Sequence, residues 1–185
     1  MKIKGEGIYI DSAGVFHKVK GKSIISDDAI LQSLQVSGKL LFDKITCDEV
    51  NVYGKCKGGS VHAKNFFATG KIKAYSIKAD EVIIKSRSGS IDKIKGMKIK
   101  VFDGVDDNAE LFAKIFSKQD EEFDNNSRVR IENINADTVE LENCTVDAIK
   151  CKDAIIGTNC AIKELFVSGE CTVTDDSTVV KTIRT

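Results

Sequence analysis

Apolar residues in this chain come mostly as pairs with one residue between them, and the pairs recur every five or six positions. Leu34/Val36, Leu40/Phe42 and Ile45/Cys47 are followed by Val50/Val52, Cys56/Gly58 and Val61/Ala63, then by Phe66/Ala68, Ile72/Ala74 and Ile77/Ala79. Side chains alternate across a strand, so each pair predicts a short strand with one face buried. Three pairs fill each repeat. Gly38, Gly54 and Gly70 close similar phrases, LQVSG, VNVYG and FFATG, and their numbers set the period at sixteen. A fourth turn, Val82/Ile84, Gly89/Ile91 and Ile94/Gly96, keeps the order with one residue more, and Ile99/Val101 follows it.

The rhythm resumes with Ile134/Ala136 and runs through Val139/Leu141, Cys144/Val146, Ile149/Cys151, Ala154/Ile156, Cys160/Ile162 and Leu165/Val167 to Cys171/Val173. These phrases are too short and too rich in β-branched residues for helices. The expected fold is all-β: a parallel β-helix, a three-sided solenoid of about 16 residues per turn. Right-handed winding follows from the general preference of parallel crossovers, since the repeat carries no hand of its own. Glycine at the three corners suits a tight bend with positive φ. Prolines number 0, which fits a backbone whose donors are nearly all engaged in ladders.

The expected organisation is an N-terminal β-helix half over 1–102, an acidic insertion over 103–127 and a C-terminal half over 128–185, forming one continuous solenoid. Within the insertion, DDNAELFAKIF has Asp106, Asp107 and Asn108 as capping residues. Leu111, Phe112, Ile115 and Phe116 fall on one helical face, so a short amphipathic helix is expected there. Its plain role is to cover the solenoid or the join between halves, and its sharper role is to contact another molecule.

Charge cancels over the whole chain, 28 basic against 28 acidic residues, but unevenly along it. Residues 1–102 carry 19 Lys and Arg against 10 Asp and Glu, 103–127 carry 2 against 8, and 128–185 carry 7 against 10. Lys71, Lys73, Lys78, Lys85 and Arg87 are candidates for a polyanion-binding surface. The simpler reading is a solvated outer face whose charge discourages sideways strand pairing. Few aromatics accompany these lysines, so nucleic acid is not an expected partner.

All six cysteines, Cys47, Cys56, Cys144, Cys151, Cys160 and Cys171, fall on inward positions without CxxC spacing, which favours reduced core residues over disulfides or zinc. Cys144 and Cys160 should stack on one another. His62 stands between inward Val61 and Ala63 and should face solvent, and with His17 it completes the histidines. A six-residue-step acyltransferase with a catalytic histidine is disfavoured. Phosphate-cradling loops, nucleophile elbows and HExxH are absent from the sequence. No catalytic, cofactor-binding or metal residues are expected, and no cofactor. No apolar run approaches a membrane span, and MKIKGEGIYI has no secretory core, so the expected compartment is the cytoplasm.

The stretch VNVYGKCKGGSVHAKNFFATGKIKAYSIKADEVIIK resembles the bactofilin, or polymer-forming cytoskeletal, family of bacteria. INADTVELENCTVDAIKCKDAIIGTNCAIKELFVSGEC resembles the second half of two-part bactofilin-like proteins, and together the two stretches cover most of the chain. The resemblance implies a right-handed β-helix that assembles end to end without nucleotide and serves as a scaffold for cell-envelope or morphogenetic client proteins. Some relatives lie at the inner face of the membrane. No catalytic residue carries over. The expected function is therefore self-association and scaffolding. The alternative is a monomeric or dimeric binding module for an acidic polymer or anionic surface, using the lysine-rich N-terminal half.

Overall fold

The computed structural model describes residues 2–8, 17–104 and 128–185, with side chains from Ile30 onward. Its described part is all-β and forms a parallel β-solenoid. The expected helix of the insertion, with Leu111, Phe112, Ile115 and Phe116, lies outside the described residues.

The chain opens with β1 (Lys2–Ile8), which pairs antiparallel with the start of β2 (His17–Thr69). β2 is an unbroken run of strand geometry that bends at glycine corners. β3 (Ile72–Lys85) continues it and shows three buried pairs in one pass, Ile72/Ala74, Ile77/Ala79 and Val82/Ile84. These pairs define three sides of the solenoid, called here sides 1, 2 and 3. The next turn divides into β4 (Gly89–Lys95), which pairs with β3 on sides 1 and 2, and β5 (Lys98–Phe102), which pairs with β3 on side 3.

Beyond the insertion the same three sides continue. β6 (Val129–Asn135) stacks in parallel on β4, and β7 (Thr138–Leu141) stacks on β5. β8 (Cys144–Cys151), β10 (Ala161–Val167) and β12 (Thr178–Arg184) carry sides 1 and 2 onward, while β9 (Asp153–Ile156) and β11 (Cys171–Val173) carry side 3.

The period is sixteen where Ile72 opposes Cys56 and seventeen where Gly89 opposes Ile72. After the insertion the first step is fifteen, with Val129 opposite Cys144, and the next two are sixteen and seventeen, with Ala161 opposite Thr145 and then Thr178. Each change of length is absorbed at a bend while the ladders stay in register.

The interior is one column of inward pairs per side. Leu34, Ile45, Val50, Val52, Ile77, Val82, Ile84, Ile99, Leu141 and Leu165 are all wholly buried. Side 2, for example, stacks Val61, Ile77, Ile94, Ile134, Ile149 and Leu165 in direct succession. Burial of this kind is the dominant favourable term in folding. On the last rung of side 3, Cys171 is half-buried and Val173 is 38% exposed, with no further strand over them among the described residues.

Two corner devices make the stacking possible. Gly38, Gly54 and Gly70 have φ of 121°, 129° and 103°, and their backbones lie directly on one another. A Cβ on Gly54 would stand 2.3 Å from the Gly38 carbonyl oxygen, so no side chain fits there. Farther along, Asn143 (φ 51°) and Asn159 (φ 55°) take over that role, since asparagine tolerates the left-handed region. Asn159 Nδ2 donates to Asn143 Oδ1 at 2.6 Å, and Arg128 donates to Asn159 Oδ1, which forms a hydrogen-bonded corner ladder.

Candidate functional site

With the interior filled by apolar columns, chemistry is confined to the outer faces, the corners and the terminal edge. The cysteines illustrate the point. Five are buried and Cys171 is partly so, and all are free. Burial pushes the Cys56 thiol up to about 12 and that of Cys47 to about 11. Cys144 and Cys160 occupy adjacent rungs, and the hydrogen bond between them, together with burial, raises Cys144 well above the ordinary thiol range. Cys160 moves the other way, lowered chiefly by its hydrogen bond with Cys144. Among the described residues, no group of three His, Cys, Asp or Glu could hold a metal, and no helix is long and apolar enough to cross a membrane.

The outer faces differ from one another. On side 3, rungs are joined by opposite charges at directly facing positions: Glu81 pairs with Lys98 at 3.2 Å, and Lys100 pairs with Glu140. Tyr53 and Phe67 lie against each other there, with ring centroids 5.6 Å apart, and Lys100 sits over the Phe102 ring. On side 2 near the last rung, Glu164 faces Lys181 at 3.5 Å.

Sides 1 and 2 of the N-terminal half carry stacked like charges instead. Lys57 faces Lys73 on side 1, while His62 faces Lys78 and Lys78 faces Lys95 on side 2. All five are exposed. The five positions singled out from sequence do not form one patch. Lys73 and Lys78 flank the corner between sides 1 and 2. Lys71 and Arg87 lie at bends between sides 3 and 1, with Arg87 3.7 Å from Asp103, and Lys85 ends the side 3 segment of β3. Lys57, Lys93 and Lys95 belong to the patch but were not singled out by linear spacing, because register alone brings them beside Lys73 and Lys78.

No family model, curated protein or solved structure matches this chain. The fold is compatible with a β-helix family, and its functional reading rests on the molecule's own geometry.

A concavity lies on the outer surface near the last turns. It is a shallow trough of about 170 Å³ on side 1, where small outward residues, Thr145, Ala161 and Thr178, stack in successive rungs. Asp147, Lys163 and Val180 border it. The last rung itself is the other distinctive feature. Among the described residues β11 pairs only with β9 and β12 only with β10, so one edge of each is without a strand there. Val180 is 76% exposed, and Val179 and Ile183 are partly exposed beside that edge.

Proposed function

We propose that this chain is a non-enzymatic structural protein that associates end to end with copies of itself, a scaffold of bactofilin type. The observation that carries the reading is the terminal rung. Among the described residues its outward backbone groups have no strand partner, and the apolar columns of sides 3 and 1 end at Val173 and Val179 without a covering layer, while side 2 ends on Thr182 over Leu165. Exposed strand edges recruit further strands, and solenoid ends need either a polar cap or a neighbour. The opposite end is built differently, with β1 antiparallel to β2. A scaffold of this kind would act in the cytoplasm or at the inner face of the membrane and hold cell-envelope or morphogenetic client proteins.

Electron microscopy and light scattering on the purified chain test the reading, with filaments or oligomers that grow with concentration as the expected result. Thr182→Pro provides the structural control. The Thr185 N–H donates to Val167 O, toward β10, so backbone alternation aims the Thr182 N–H at the open edge. Proline there removes an edge donor while leaving the ladder to β10 in place. Assembly should be lost and the far-ultraviolet spectrum kept. A uniformly monomeric wild-type chain across salt and concentration would reject the proposal.

A further inference from the structure

Like charges placed directly opposite one another on neighbouring strands destabilise a sheet, whereas opposite charges there support it. This chain uses the supporting arrangement on side 3, at Glu81/Lys98 and Lys100/Glu140, and near the last rung at Glu164/Lys181. It does the reverse around one corner. Lys57/Lys73 stack on side 1 and Lys78/Lys95 stack on side 2, and none of these four lysines has an ion-pair partner among the described residues. Repulsion held in register over adjacent rungs, about 4.8 Å apart, favours a ligand that supplies negative charge at repeated short intervals.

The corner between the two lysine rows carries Tyr75, which is 53% exposed. Lys93 Nζ lies 5.4 Å from the ring centroid, a cation–π contact on the side of the following turn, where Asp92 also stands. Toward the preceding turn the facing position carries no side chain. Ala74 is opposite Gly58 and Ser76 opposite Ser60, so the residue facing Tyr75 is Gly59. Gly59 is locked as glycine, since a Cβ there would come within 2.2 Å of the Asp43 carbonyl oxygen. One face of the ring is thus backed by a cation and the other is left open, with a lysine row on each side. Linear spacing alone gives stacking little weight here, because Tyr75 is a single aromatic among lysines; the register changes that by centring it.

We infer that this corner binds single-stranded nucleic acid, with phosphates along Lys57/Lys73 and Lys78/Lys95 and a base stacked on the open face of Tyr75. A convex edge flanked by two cationic rows suits a flexible strand that can wrap it. A flat bilayer would reach only one row at a time. The inference is independent of end-to-end assembly, because the corner lies on the side of the solenoid and not at its terminal rung.

The test is fluorescence anisotropy of the full chain with a labelled oligothymidine. Binding should be measurable at low salt and weaken with a log–log slope of about −3, four phosphate contacts at roughly −0.7 each. Tyr75→Ala should weaken it roughly tenfold or more, while Tyr75→Phe keeps it. The double variant Lys78→Gln, Lys95→Gln should lower the slope by roughly 1.4. Tyr75, Lys78 and Lys95 are all exposed, so thermal melting of the variants serves as the folding control. No binding at low salt would overturn the inference. So would equal affinity for inorganic polyphosphate or an abasic strand, an unaffected Tyr75→Ala, or binding to anionic phospholipid vesicles without binding to the oligonucleotide.

Discussion

Replacing Ile77 tests the stacked interior directly. The side chain is wholly buried, with Val61 on one side in the ladder and Ile94 on the other. Ile77→Ala removes three carbon groups, worth about 2.4 kcal/mol at about 0.8 kcal/mol per buried methylene. Ladder bonds hold the rungs above and below at fixed spacing, so the gap cannot collapse, and the loss should fall in the upper part of the range of roughly 2–5 kcal/mol. Ile77→Asp adds an unpaired carboxyl to the column and should lose on the order of 5 kcal/mol. Lys78→Asp, one residue along and exposed, should barely change stability, and it relieves the repulsion from Lys95. Urea denaturation followed by circular dichroism reads the difference. At about 2 kcal/mol per molar urea, a loss near 4 kcal/mol moves the midpoint down by about 2 M. Similar midpoint shifts for Ile77→Asp and Lys78→Asp would refute the inward and outward assignment and, with it, the stacked columns.

Two further outcomes follow from the corners and the thiols. Gly54→Ala should destabilise by about 3 kcal/mol or more, since it combines a left-handed φ with a backbone collision at 2.3 Å, and a melting curve unchanged from wild type would contradict the glycine stack. Cys56 and Cys47 keep their protons in the folded chain to about 12 and about 11, while the unfolded chain loses them near 8.5. Their contribution to stability is therefore complete below the unfolded value and is lost as pH rises from there through the folded values. A denaturation midpoint that falls between pH 8.5 and 11 in wild type, and less steeply in Cys56→Ala, is the expected result, and a flat profile would argue against buried thiols.

Much of this architecture is visible in the order of residues because a solenoid makes its contacts at fixed sequence offsets. Val50/Val52 and Ile77/Ala79 could be assigned inward from alternation alone, and both pairs are buried. The extra residue of the fourth turn is likewise readable, and it appears as the seventeen-residue step from Ile72 to Gly89. Other features depend on what a repeat does not encode. Alternation marks Cys171/Val173 as inward, but inward is not the same as covered, and among the described residues no strand lies above the last rung. Asn143 and Asn159 hold positive φ where the first turns use glycine, so the corner changes chemistry while keeping its geometry. The antiparallel start at β1 leaves no trace in the pair spacing. The lysine corner was only partly legible, since its members come from three different turns and two sides.

The variable step between rungs has a practical consequence. On side 3, Ile99 faces Val139 across a gap of forty residues, Val139 faces Ala154 across fifteen, and Ala154 faces Cys171 across seventeen, all in an undisturbed ladder. The bend that follows Phe102 thus acts as a splice point where foreign sequence can be carried without disturbing the winding. A peptide tag or enzyme grafted there would be displayed at the rim of the spool, and in an assembled fibre it would recur once per subunit at a regular interval.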